Sequence, residues 1–227
     1  MNLPRDFFDF RHIHFDWNRS ISSYSKLQII YSWLIRGRKF QIKHNNQLEK
    51  SYLNVGCGAN VLSHFLNVDY DWRPGVDLCW DMRRPLPLPD KFLLGIYSEH
   101  CFEHISFTDC VSVLKECYRM LDCGKILRLV VPDAEMYLRL YVQAVEGNQA
   151  VTFPYPEEGF TPMMYINSVF RNHGHLFAYD FETLKMLLHS AGFSAIKRQS
   201  FRKGDDPILL IDSPSRSCES LYVEARK

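Results

Sequence analysis

Tyr52-Leu53-Asn54-Val55-Gly56-Cys57-Gly58 is a short apolar run that ends in two glycines one residue apart. The run predicts a buried strand, and the glycines predict a turn that lets a ligand come close to the backbone. A second run, Leu66-Asn67-Val68, ends in Asp69, eleven residues after Gly58. A strand, a glycine turn and an acid at the tip of the next strand form the arrangement by which open α/β sheets hold nucleoside ligands.

Working outward, residues 76–81 form a short third segment, and the prolines from Pro85 to Pro89 exclude helix and central strand. Phe92 to Tyr97 reads as a buried strand. A helix is expected from about Thr108 to Leu121, with Ser106 and Asp109 at capping-box spacing and Gly124 as its stop. Ile126 to Val131 is a strand closed by Pro132-Asp133, and Ala134 to Ala144 is helical. Asp180 caps a further helix that Gly192 ends, and strands follow near 195–201 and 220–225. Strands alternating with helices predict a mainly parallel α/β sheet with helices on its faces. The tight spacing of the last elements allows one antiparallel hairpin strand.

The 227 residues suffice for one well-cored domain, and 46% hydrophobic with 23% charged residues is ordinary globular composition. A net charge of +1 offers no electrostatic case for nucleic acid. The seven cysteines form no CxxC pair and are odd in number. They read as reduced thiols in a cytoplasmic protein. No stretch reaches the roughly 18 to 20 apolar residues that span a bilayer. Residues 1–48 differ from the rest. They mix aromatic and basic residues, and Tyr24, Leu27, Tyr31 and Leu34 recur at helical spacing before Arg36-Gly37-Arg38-Lys39. This region is expected to be a helical extension: a lid, a contact for a homodimer, a membrane-surface helix, or a helix packed on the core.

Four predicted strand ends carry usable groups. Gly56-Cys57-Gly58 leaves space and offers backbone amides, and Asp69 can accept two hydrogen bonds from a ribose diol. Asp81 and Met82 suit an adenine amino group and ring. Ser98-Glu99-His100-Cys101-Phe102-Glu103-His104 concentrates polar groups after the 92–97 strand. His173-Gly174-His175 offers two imidazoles with no cysteine or carboxylate at metal-ligand spacing, so no metal is expected there; His12 and His14 have no such support either.

These features together resemble the class I S-adenosylmethionine (SAM)-dependent methyltransferases. More narrowly, they are similar to a type 11-like subgroup that shares the series Leu53–Gly58, Asn67–Asp69, Leu86–Asp90 and Glu99–His104, and continues through residues 114–133, 175–193 and 219–225. The resemblance covers residues 49–227 as a methyltransferase domain. It implies a Rossmann-like, seven-stranded-type sheet with SAM as cofactor. Asn54, Gly56, Cys57 and Gly58 would lie at the cofactor's amino-acid portion, Asp69 at the ribose and Asp81 with Met82 at the adenine. Ser98 would line the cofactor side, and His100 and His175 the substrate side. The chain departs from the pattern at Leu121-Asp122-Cys123-Gly124-Lys125, at Leu93-Leu94-Gly95, and at Asn54, where related enzymes often carry an acid. The Gly58–Asp69 interval is also too short for a full crossover helix plus strand.

Methyl transfer from a sulfonium is an in-line displacement that depends on holding nucleophile and methyl at near-attack geometry. An oxygen acceptor also loses a proton. His100 and His104 are the candidate bases, between which the sequence does not choose. The expected acceptor is a small molecule or a glycan. Two other classes stay open: a cofactor-binding module of the same fold without turnover, and a nicotinamide-dependent oxidoreductase. A missing third glycine and first helix count against the latter.

Overall fold

The computed structural model describes residues 23–38, 51–148 and 150–227. His12, His14 and most of the predicted extension lie outside the described residues. The strands are β1 (Tyr52–Val55), β2 (Phe65–Asp69), β3 (Leu78–Cys79), β4 (Leu93–Glu99), β5 (Leu121–Pro132), β6 (Ser194–Gln199) and β7 (Ser220–Arg226), ordered β3-β2-β1-β4-β5-β7-β6. All neighbours are parallel except β7, which runs antiparallel to β5 and β6. The described α-helices are α1 (Ser23–Ile35), α2 (Phe107–Met120), α3 (Ala134–Val145), α4 (Pro162–Arg171) and α5 (Phe181–Ala191). The chain leaves β1 toward β2 on one side and returns to β4 on the other. A ligand crevice is therefore expected outside the carboxyl ends of these strands.

Alternation along each strand divides the sheet faces. Leu53, Val55, Leu127, Leu129 and Val131 join Val113, Leu114 and Cys117 of α2 and Leu184, Leu187 and Leu188 of α5 in the main core. On the opposite face Tyr97, Ile126, Val130 and Tyr222 pack with Leu209, from the irregular segment 200–213. Arg128, fully buried on that face, binds the same segment through Asp212 and the carbonyls of Ser200 and Lys203.

The helix caps follow the sequence. Ser106 accepts from the Asp109 N–H at 3.1 Å, Asp180 accepts from Thr183 at 2.8 Å, and Gly192 closes α5 in the left-handed region at φ 106°. The expected stop at Gly124 is displaced. α2 ends at Met120 and β5 starts at Leu121, its first residues held by the N–H of Gly124 donating to Lys227 O. α4 was not foreseen. It packs on α3 through Tyr137, Phe153, Ile166 and Val169, a small core beside the sheet.

No helix joins β1 to β2, as the short interval predicts. Two buried asparagines in register, Asn54 and Asn67, hold the coil in place. Asn67 Nδ2 donates to the carbonyls of Leu62 and Phe65, its Oδ1 accepts from Leu62 N–H, and Asn54 Nδ2 donates to Asn60 O at 2.9 Å and to Asn67 Oδ1. Asn54 thus serves the backbone, where an acid would face a cofactor. Replacing Asn67 with Leu is expected to cost roughly 2–3 kcal/mol of unfolding free energy, because buried donors and acceptors lose partners. Urea denaturation measures it.

α1 docks beside β2 and β3 by an unforeseen face. Ser32 is fully buried; its Oγ accepts from Trp72 N–H at 2.8 Å, while Arg36 donates to Tyr70 O and pairs with Asp71 at 3.1 Å. The predicted apolar stripe faces outward: Leu27 is 68% and Leu34 51% exposed. The small serine lets the helix approach closely, which the larger apolar residues would prevent.

Candidate active site

The carboxyl ends of β1, β2 and β4 enclose a cavity of about 250 Å³ lined by Gly56, Gly58, Asp69, Asp81, Met82 and His100, among others. Gly56 and Gly58 have φ of 66° and 53°, which favour glycine. A Cβ on Gly56 would lie 2.2 Å from Cys101 Sγ, so packing requires this glycine. Gly58 faces open space and leaves room for a ligand. Its N–H donates to Asp69 Oδ2 at 2.7 Å, and Asp71 N–H donates to Asp69 Oδ1 at 2.9 Å. The turn and the acid therefore hold each other, and each carboxylate oxygen keeps a second lone pair for a diol.

Asp81 is gripped by Arg83, whose Nε and Nη2 donate at 2.9 and 2.8 Å. Burial works to raise the Asp81 pKa, yet the Arg83 hydrogen bonds hold it below the usual carboxylate range. A depressed pKa supplies stability above the unfolded value of 3.8 that is lost as pH falls through the folded value. Asp81→Asn should therefore flatten the acid-side fall of the urea midpoint below pH 4.

Not all predicted cofactor residues face this cavity. Asn54, Cys57 and Ser98 are buried behind its wall, with Ser98 Oγ donating to Val55 O at 3.0 Å and Cys57 packed beneath the turn. They shape the site through the backbone instead of lining it. The sequence reading missed Tyr70, Arg73, Trp80 and Arg83, which do line it. The only available signal was their place near the ends of the second and third strands.

A second cavity of about 650 Å³ adjoins the first. Tyr137 of α3, Tyr165 of α4, and Tyr155 and Phe160 before α4 line it, together with Glu103, His175, Arg216 and Glu219. His100 and His104 belong to both cavities and form the wall between them. The two imidazoles are differently committed. Arg216 Nη1 lies 2.7 Å from His100 Nδ1, and arginine only donates; His100 Nε2 therefore carries the proton it gives to Ser220 Oγ at 2.8 Å. Burial first, and Arg216 second, push His100 down to about 2. It is a neutral, fully engaged wall residue and does not suit the role of base. His104 is the more accessible of the pair, with 27% of its side chain exposed.

Behind the wall lies Glu103, on the 3-10 turn Phe102–His104. It is 1% exposed, and neither carboxylate oxygen receives a hydrogen bond. Burial raises its pKa to about 8. His175, predicted on the substrate side, sits 4.0 Å from Glu103 and does line the second cavity. Its loop is tied to this turn, because the N–H groups of Leu176 and Phe177 both donate to Glu103 O. Local spacing around His173–His175 showed no carboxylate; the fold supplies one from a distant element.

No protein-family model matches the sequence, and neither does any curated protein. Solved structures do. A SAM-dependent methyltransferase from Archaeoglobus fulgidus aligns at 17% identity with a TM-score of 0.50, over 91% of this chain and 100% of that one. A SAM-dependent methyltransferase from Thermotoga maritima, described as a possible histamine N-methyltransferase, aligns at 17% identity and a TM-score of 0.50, over 90% and 95%. At this identity the likeness shows the fold: the chain has the Rossmann-like fold of the class I SAM-dependent methyltransferases. No helix among the described residues is long and apolar enough to cross a membrane.

Proposed function

We propose that this fold works as an enzyme that transfers a methyl group from SAM to a small-molecule or glycan acceptor. One observation carries the reading. The glycine turn, Asp69 and the Asp81–Met82 pair line a single cavity, and that cavity shares the His100–His104 wall with a larger one. In this reading Asp69 holds the ribose diol, Asp81 and Met82 face the adenine, and Gly58 leaves room for the cofactor's amino-acid portion. The second cavity takes the acceptor. Its tyrosines and charged rim suit a compact hydroxylated ligand, within the usual size range of small-molecule sites.

SAM supplies an electrophilic methyl when bound; the chain's residues supply position. His100 and His104, shared by the two cavities, would border both cofactor and acceptor, and in-line transfer would depend on their holding the two in register. For an oxygen acceptor, His104 takes the proton. The Glu103 carboxyl lies 3.9 Å from His104 Nε2, close enough to favour the imidazolium that forms.

Calorimetric titration with SAM, S-adenosylhomocysteine and NAD tests the cofactor. Binding of the first two and not of NAD is expected; binding of NAD alone would overturn the reading. A labelled methyl donor incubated with fractionated small metabolites and glycans tests turnover. Tight cofactor binding with no transfer to any fraction would favour a non-catalytic binding module.

A further inference from the structure

Glu103 is a buried carboxyl that receives no hydrogen bond, a costly arrangement unless something else satisfies it. Among the described residues, the groups of ion-pairing type within 4.0 Å of it are three imidazoles: His100 at 3.5 Å, His104 at 3.9 Å and His175 at 4.0 Å. No arginine or lysine of the described residues lies at that distance. His175 Nδ1 is 2.6 Å from Val169 O. A carbonyl only accepts, so Nδ1 carries the ring proton and Nε2 turns its lone pair toward Glu103. An imidazole held by a backbone carbonyl on one nitrogen, with the other directed inward, is how proteins orient a metal-ligating histidine. The His104 ring meets the His175 ring edge-on at 4.9 Å.

We propose that Glu103, His104 and His175 form a divalent transition-metal site that opens on the acceptor cavity. One atom from each lies within 4.8 Å of the others. A tetrahedral zinc site with bonds near 2.0–2.1 Å needs ligand atoms about 3.4 Å apart. The 3.9 and 4.0 Å separations from Glu103 therefore close by about half an ångström, and the His104–His175 separation, within 4.8 Å, by up to about 1.4 Å, through side-chain rotation. One carboxylate and two imidazoles suit zinc, with iron(II) or manganese(II) as chemically related occupants. His100 is excluded as a ligand because both its nitrogens are engaged, and it buttresses the site instead. All three ligands line the second cavity, so a remaining coordination position would be available to a ligand there.

The substrate consequence rests on the methyltransferase reading, whereas metal binding does not. A metal at this place would bind an acceptor hydroxyl through oxygen and lower its pKa, so that its proton passes to solvent in the open cavity. The oxygen then attacks the SAM methyl, S-adenosylhomocysteine leaves, and no side-chain base is needed. The favoured acceptor is therefore a hydroxyl-bearing one.

The test is zinc titration of the 227-residue chain after chelator treatment and dialysis, with Cys123 and Cys218, both exposed, replaced by serine to remove surface thiols. One zinc ion per chain is expected, with Glu103→Gln and His175→Asn each weakening it at least about tenfold. If Glu103→Gln fails to give a cooperative urea transition, His175→Asn alone decides. Absence of zinc binding at roughly 100 μM, or unchanged affinity in the folded variants, overturns the site. S-adenosylhomocysteine titrated in parallel separates the two readings. Zinc binding without cofactor binding keeps the metal site and removes the methyltransferase reading, and cofactor binding without zinc does the reverse.

Discussion

Replacing Arg128 with Met lowers the unfolding free energy by about 3–5 kcal/mol, a large share of the total for a domain of this size. Arg128 and Asp212 have fully buried side chains, and Glu224 is nearly so. The guanidinium donates to both Asp212 oxygens at 2.8 and 2.5 Å and to Glu224 Oε1 at 3.0 Å. Removing it leaves two buried carboxylates without their cation and loosens the 200–213 segment, which Leu209 and the Asp205 N–H bond to Glu224 still tether to the sheet. Replacing Arg128, Asp212 and Glu224 together with apolar residues should recover much of the loss, since the buried cluster matters chiefly once one member is missing. Urea unfolding of the single and triple variants measures both. A loss below about 1 kcal/mol for the single variant would show that the cluster does not hold this face.

Asp69→Ala weakens cofactor binding by roughly 1.5–3 kcal/mol, or about ten- to hundredfold, the range for hydrogen bonds to a charged group. The carboxylate does two jobs. It accepts from Gly58 and Asp71, which keeps the turn in shape, and in the proposed site it meets the ribose diol. Calorimetry with S-adenosylhomocysteine reads the effect. Unchanged affinity in a cooperatively folding variant would remove Asp69 from the site.

Much of the fold was legible in the sequence, because period and punctuation are local. The glycine turn, the caps at Ser106 and Asp180 and the stop at Gly192 all depend on residues near one another in the chain, whereas the antiparallel pairing of β6 with β7 spans the long 200–219 connection. The outer face of α1 was not legible. Helical spacing identified its apolar stripe, but only the partner surface decides which stripe is buried, and there a small serine packs closest. Arg128 had a visible signal, a charge within an apolar strand, but its partners lie 84 and 96 residues away. The proposed cofactor cavity divides in the same way. Asp69 ends β2, Asp81 follows β3 by two residues, and both line the cavity, as position alone suggests. Asn54, Cys57 and Ser98, by contrast, are buried and do not line it, which motif matching does not reveal. The Glu103, His104 and His175 grouping required the tertiary fold, because Glu103 and His104 come from the turn after β4 and His175 from the loop after α4.

The helix-free link from β1 to β2 also bears on how this corner of the molecule opens and closes. Its backbone is fastened by Asn54 and Asn67, and the Gly58 N–H is bonded to Asp69 Oδ2. Turn and acid are thus close in sequence and joined directly, so a brief local opening exposes both at once. Amide hydrogen exchange should show Gly58 and Asp71 slowing together when a nucleoside cofactor occupies the cavity, and accelerating together in Asn67→Leu.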